Sequence, residues 1–245
     1  MWTAYMNLEA SYGTPSTLGK LFARAQAAAD PKAVHFSLLG VYERTGEEHA
    51  TEAEALYGVT ARKFGRDSKK VWVQWANFKF ARGDASGARA LLQRAMQLLP
   101  QRKHVATIIQ FALLEYKYAA GAGVGSQERA RTMFEGLLST VPKRLDVWNV
   151  YIDQEIAAFA RNYGAGSADA GKRSERAGDI AAIRHLLNRI ISIKFSSKKM
   201  KFLFKKYLAF EQTHGDAEGA ANVAAAARAY VAKQVGDATG AADDE

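Results

Sequence analysis

The chain has 245 residues, of which 48% are hydrophobic and 24% charged, enough to bury a substantial core and to exclude broad disorder. It contains no cysteine, which excludes a disulfide scaffold and every thiolate metal site and suits a reducing compartment. The formal net charge is +9, and because the last ten residues hold three Asp and one Glu, the remainder carries +13. A body that basic favours an anionic partner, RNA foremost, and the lack of an apolar run of about 18 residues excludes a membrane-spanning helix.

The first nine residues have neither the basic region nor the apolar run of a signal or transit peptide. They place Trp2, Tyr5 and Glu9 at offsets 0, 3 and 7, which share one face of a helix with 3.6 residues per turn. The template then recurs along the chain. Phe36, Leu39 and Glu43 repeat it, and Trp72 and Trp75 follow with Lys79 in place of the acid. Ile108, Phe111 and Glu115 come next, then Trp148, Tyr151 and Glu155, and last Phe204, Tyr207 and Glu211. The anchors lie 34, 36, 36, 40 and 56 residues apart.

A second helix lies between anchors. Its signature is Leu21-Phe22-Ala23-Arg24-Ala25, then Leu56-Tyr57, Leu91-Leu92-Gln93-Arg94-Ala95, Met133-Phe134 and Leu186-Leu187-Asn188-Arg189-Ile190. Pro31, Pro100 and Pro142 stand where this helix should stop, because proline lacks an amide proton and disfavours helix at the residue before it. Asp30, Gly65 and Gly83-Asp84 add turn chemistry. The expected fold is all-α: a right-handed α-solenoid of about six helix-turn-helix repeats over residues 1–235. Two glycine-rich stretches interrupt it, one around Ala119–Ser126 and an insertion at about 161–176 that explains the longest interval. Residues 236–245 are expected to be a disordered acidic tail.

The large aromatics are read as packing groups and the offset-seven acid as an interhelical hydrogen-bonding or ion-pairing group. The repeat-packing set is therefore Trp2, Tyr5, Trp72, Trp75, Phe111, Glu115, Phe134, Trp148, Tyr151, Glu155, Phe204, Tyr207 and Glu211. Gly121, Gly123 and Gly125 superficially suggest a phosphate loop, but a helix precedes them where such a loop needs a strand. The five histidines are scattered without a His-x-x-x-His pair, and no nucleophile–base or paired-carboxylate pattern stands out. No catalytic, cofactor or metal site is expected.

The sharpest charged feature is the stretch from Lys194 to Lys206, where lysines interleave with aromatics. Helical spacing puts Lys198, Lys201 and Lys205 near one face and Phe204, Tyr207 and Leu208 nearer another. One reading is a solvated face with the aromatics buried. The other is a phosphate-contacting patch comprising Lys194, Lys198, Lys199, Lys201, Lys205 and Lys206, with Lys143 and Arg144 in a neighbouring turn. Further basic residues at Arg66, Lys69, Lys70, Arg102 and Lys103 also fall near inter-helix turns, which would make one edge of the solenoid basic.

The Trp-x-x-Tyr-x-x-x-Glu helix, followed by an Ala-Arg-x-Leu-type helix and a proline, resembles the half-a-TPR (HAT) repeat of RNA-processing factors. Ala88–Ala95, Phe111–Tyr118, the stretch from Arg131 to Glu155 and Lys198–Glu211 resemble, more narrowly, the C-terminal repeats of the Rrp-five / programmed-cell-death-eleven family of ribosome-biogenesis proteins. That resemblance implies a non-catalytic nucleolar scaffold in pre-18S rRNA processing within the small-subunit processome. It implies pre-ribosomal proteins and pre-rRNA as partners, no cofactor and no membrane, and OB-fold RNA-binding domains upstream of this stretch. A scaffold of splicing or mRNA 3′-end processing is the alternative within the HAT class. Lys79 departs from the repeat consensus, as do the weak second unit and the insertion.

Overall fold

The computed structural model describes residues 1–119, 125–163 and 171–240. Among them lie α1 (Trp2–Tyr12) and α2 (Pro15–Ala28), α3 (Pro31–Thr45) and α4 (Ala50–Phe64), and α5 (Lys69–Ala81) and α6 (Ala85–Leu98). Next come α7 (His104–Lys117) and α8 (Ser126–Thr140), then α9 (Leu145–Tyr163) and α10 (Gly171–Ser192), and α11 (Ser197–His214) and α12 (Ala217–Gly240). The described residues hold no strand. These are consecutive helix pairs of the all-α solenoid kind, divided into two compact units, Met1–Glu135 and Gly136–Glu245.

The helix ends follow from local chemistry. Thr14 caps α2 in a reciprocal box with Thr17, and Pro15 stands at its first turn. Asp30 caps α3 by accepting from the amides of Lys32 and Ala33, so Pro31 both follows one helix and opens the next. Asp84 accepts from the Gly87 amide at the start of α6, and Asp216 from the Gly219 amide at the start of α12. Short 3-10 turns at Gly46–His49 and Gln101–Lys103 lead into α4 and α7.

In the first unit α1, α3 and α5 each pack on their own partner, and α3, α5 and α7 each on the second helix of the pair before. So α3 meets α2 and α4, and α5 meets α4 and α6. The second unit repeats this with α11 set against α10 and α12. First helices of adjacent repeats also meet directly, α1 with α3 and α5 with α7, so the contacts stay within a repeat or between neighbouring repeats, as in repeat proteins generally. Trp72, Tyr57, Tyr116 and Phe134 are fully buried in the first unit, as are Ile152, Leu187, Met200 and Leu203 in the second. The indole N–H of Trp72 donates to the Gly65 carbonyl at 2.8 Å, and that of Trp148 to Pro142 at 2.9 Å. The anchor aromatic thereby ties the first helix of a repeat to the turn in front of it.

Three expectations are modified. Tyr5, read as a packing residue, is 55% exposed, while its counterpart Trp75 is stacked on Tyr57 of the preceding α4. The glycine-rich insertion is entered by helix from both sides, α9 running to Tyr163 and α10 starting at Gly171, while residues 164–170 lie outside the described ones. Phe159, buried in α9, packs on Tyr163 and lies beneath the Arg176 guanidinium, which accounts for that extension. Helix α12 continues to Gly240, into the stretch expected as a tail, and residues 241–245 lie outside the described ones, as do Gly121 and Gly123.

Two stability predictions come from this core. Trp72→Ala should cost about 3–5 kcal/mol in denaturant unfolding, whereas Tyr5→Ala should stay within about 0.5 kcal/mol. His35 is buried between the Phe22 and Phe64 rings, with Thr60 and Gln26 at its two ring nitrogens. Burial, reinforced by nearby Lys63, lowers its pKa from 6.5 to about 4, so the folded imidazole is neutral and protonation favours the unfolded chain. Stability should therefore fall as pH drops from 6.5 toward about 4, with a slope of up to about 1.4 kcal/mol per pH unit from this group. Urea unfolding across that range should lose this component in His35→Gln.

Candidate functional site: ion clusters between repeats and a basic surface

The acid at offset seven sits at the turn between the two helices of its own repeat. Glu9 accepts from the Thr17 hydroxyl at the start of α2, and Glu115 from the Ser126 hydroxyl at the start of α8. A carboxylate in this place also complements the positive end of the following helix dipole. The turn has to be thin where the carboxylate lies. A Cβ at Gly13 would collide with Glu9, and one at Gly215 with Glu211.

The same carboxylate is gripped from the other side by the second helix of the preceding repeat. Arg89 of α6 holds Glu115 of α7 through two parallel hydrogen bonds of 2.7 and 2.8 Å. Arg184 of α10 holds Glu211 of α11 in the same fork, at 2.8 and 2.7 Å, and reaches Asp216 at 2.8 Å. Glu115 and Glu211 are each 2% exposed, so their charges require these partners. The hydrogen bonds raise the pKa of both arginines above its ordinary value, and Arg184 holds Asp216 below the usual carboxylate range.

Lys79, which breaks the sequence pattern, turns out to be compensated. The residue of α4 in the position of Arg89 is Glu54, and the Lys79 ammonium lies 2.9 Å from its carboxylate and 3.0 Å from that of Asp84. The cation has moved from the second helix to the first and the acid from the first to the second. Burial works against the Lys79 charge, but the hydrogen bonds to Glu54 and Asp84 outweigh it and raise its pKa. For the acid of the second repeat, Glu43, the arginine position on the preceding α2 is Gly19, and Glu43 instead accepts the Tyr57 hydroxyl.

Arg89, Arg184 and Glu54 were absent from the sequence-derived site. The Ala-Arg-x-Leu spelling at 88–91 marks the helix, but one sequence gives no means of telling a clamping arginine from a solvated one. Of the packing set, Trp72, Trp75, Phe111, Phe134, Trp148, Tyr151, Glu155 and Tyr207 are buried. Trp2 and Phe204 are half-buried, Phe204 against the Tyr230 ring at 5.7 Å.

The basic candidates separate by environment. Lys194, Lys198, Lys199, Lys201 and Lys205 are exposed, and among the described residues no acid lies within ion-pair distance of them. Lys206 is engaged instead with α9, 2.7 Å from Asp153 and 3.3 Å from the Asn149 side-chain oxygen. Arg144 pairs with Asp146, while Lys143 is exposed in the same turn. Phe202, within the lysine-rich stretch, is 50% exposed on α11, one turn from Lys198 and from Lys205. Lys143–Arg144 and Lys194 occupy equivalent turns of the second unit, as Lys69–Lys70 and Arg102–Lys103 do in the first. There the Lys103 ammonium donates to the Asp67 carbonyl, joining one such turn to the next. No set of three or more His, Asp or Glu side chains among the described residues is arranged to hold a metal ion.

Removing Arg89 strands a buried carboxylate, so Arg89→Ala should destabilise the chain by about 2–3 kcal/mol in urea unfolding. Arg144→Ala, which breaks a pair whose two members are both exposed, should lose less than about 1 kcal/mol. Equal losses would deny the clamp any special weight.

No protein-family profile matches the chain. It is 36% identical over 231 residues to "Protein RRP5 homolog" of Mus musculus, covering 94% of this chain and 11% of that protein. It is 37% identical over 233 residues to "rRNA biogenesis protein rrp5" of Schizosaccharomyces pombe, covering 95% and 12%. Against "rRNA biogenesis protein RRP5" of Arabidopsis thaliana the figures are 38% over 220 residues, 89% and 10%. A shorter match, 30% over 86 residues and 35% of this chain, is to "Pre-mRNA-splicing factor CLF1" of Candida glabrata. The chain thus spans about a tenth of the length of these RRP5 relatives. From relatives in animal, fungus and plant that align with about nine-tenths of its residues, the chain belongs to the RRP5 family of rRNA biogenesis proteins.

Proposed function

We propose that this chain is a non-catalytic scaffold in ribosome biogenesis, docking pre-ribosomal proteins and pre-rRNA in the small-subunit processome during pre-18S rRNA processing. The nucleolus is the compartment this reading requires. Support for the biological process comes from the RRP5 relatives, which are named for rRNA biogenesis. Support for direct RNA contact comes from one observation: the lysines of α11 that lack acidic partners flank a half-exposed aromatic ring. Lys198, Lys201 and Lys205 would neutralise phosphates, and Phe202 offers a face on which an unpaired base stacks, a combination common to proteins that bind single-stranded nucleic acid. Lys206 is the exception within the group, its charge being committed to α9.

The match to a splicing factor favours a second reading, a scaffold of splicing or mRNA 3′-end processing. It covers about a third of the chain, and crosslinking with mass spectrometry on purified pre-ribosomes separates the two by partner identity.

Charge reversal of Lys198, Lys199 and Lys201 to Glu should weaken binding to a single-stranded pre-rRNA fragment at least tenfold and lower the salt slope by about 2. Phe202→Ala should weaken it by about 1–3 kcal/mol with the slope intact. Unchanged affinity and slope in both variants would leave this surface as a solvated helix face. Turnover of pre-rRNA by the purified chain would overturn the non-catalytic reading.

A further inference from the structure

Helix α1 carries an inter-repeat interface with one side open. Trp2, Tyr5, Leu8 and Glu9 occupy the positions that Trp72, Trp75, Phe78 and Lys79 occupy on α5. On α5 those positions are covered by α4. Tyr57, itself fully buried, sits 6.0 Å from the Trp75 ring and 5.5 Å from Phe78, and Glu54 pairs with Lys79 and accepts the Trp75 indole N–H. Trp75 and Phe78 are accordingly 5% and 8% exposed, whereas Tyr5 and Leu8 are each 55% exposed. Between α1 and α2 lies a groove of about 540 Å³, lined by Trp2, Tyr5, Glu9, Thr17 and Leu21, with Lys20 and Arg24 on its α2 wall.

The groove also holds an unfinished ion cluster. Glu9 accepts one hydrogen bond, from Thr17, and no cation among the described residues lies within ion-pair distance of it. Glu115 and Glu211, its counterparts, are each forked by an arginine from the second helix of the preceding repeat. We propose that this groove is the docking site for the second helix of a further repeat of the same kind, spelled small–Arg–x–x–apolar. The arginine forks Glu9, and the apolar residue three positions later fills the space between Tyr5 and Leu8 that Tyr57 fills between Trp75 and Phe78.

A second copy of the chain is a poorer fit. Its last helix, α12, has Ala221 ten residues after Glu211, where α6 has Arg89 ten residues after Lys79. It has Ala224 in the place of the apolar knob. A head-to-tail copy would bring Glu9 neither a cation nor a side chain large enough to cover Tyr5.

The test is the full chain extended at its N-terminus by a copy of Asp84–Ala106, which keeps the 26-residue spacing of Arg89 and Glu115 between the copied arginine and Glu9. Hydrogen exchange of the α1 amides should slow by about tenfold or more against the unextended chain. Replacing the copied arginine with Glu should abolish that protection, and adding Glu9→Lys should restore it. Unchanged α1 exchange, or protection indifferent to the copied arginine, would overturn the proposal. So would sedimentation showing that the unextended chain dimerises with Tyr5 protected, since that assigns the groove to a second copy.

Discussion

The offset-seven carboxylate lies where three helices meet: at the end of its own helix, at the start of the next, and against the flank of the one before. Each neighbour must accommodate it. The following turn supplies a hydroxyl, as Ser126 does for Glu115, or a glycine, as Gly215 does beside Glu211. The preceding helix supplies the cation. Because Glu115 and Glu211 are almost fully removed from water, an absent cation is far more damaging there than at an exposed pair such as Arg144–Asp146. Aromatic packing brings the repeats together through area, which is non-directional. The ion cluster sets which helix follows which, because a bidentate fork tolerates little displacement.

The exchange at Lys79 shows that the sum of charges is held while their bearers change. In the cluster of the third repeat one cation faces Glu54 and Asp84, and in that of the sixth Arg184 faces Glu211 and Asp216. Both clusters contain one cation and two carboxylates, and in both the second acid caps the next helix. The consequence is that the second helices are not interchangeable. Helix α4, with Glu54, suits α5 and would set acid against acid on α7. On α4, α6 and α10 neighbour identity is written in the charge at one position, Glu54, Arg89 and Arg184, which is also what gives the open groove on α1 a stated preference.

The repeat was legible in the sequence because its signals are large and periodic: Trp, Phe and Tyr at fixed offsets, with prolines at the turns. The acid's inward orientation was legible from the same periodicity. Its partner was not, since an arginine on a helix has the same spelling whether it faces solvent or a carboxylate 26 residues away. Lys79 read as a departure from the consensus because its compensation lies in another helix, 25 residues earlier. The direction of Phe202 was left open by the sequence for a related reason. Lysines interleaved with aromatics suit a buried or an exposed ring alike; residues two apart on a helix are on different faces, and the i, i+3, i+7 series of Met200, Leu203 and Tyr207 is the one that turns inward. The engagement of Lys206 by α9 depends on packing between helices far apart in sequence, which no local pattern announces.

The central claim is that complementary charge across the repeat boundary, rather than any fixed residue type, holds neighbouring repeats in register. A double-mutant cycle on Lys79→Glu and Glu54→Arg, followed by urea unfolding, tests it most directly. Lys79→Glu alone places three carboxylates together and should destabilise the chain by several kcal/mol. Adding Glu54→Arg recreates the Arg184–Glu211–Asp216 arrangement and should bring stability back to within about 1–2 kcal/mol of the parent, a strongly favourable coupling. If the two losses simply add, the charges are decoration on an interface that packing alone maintains.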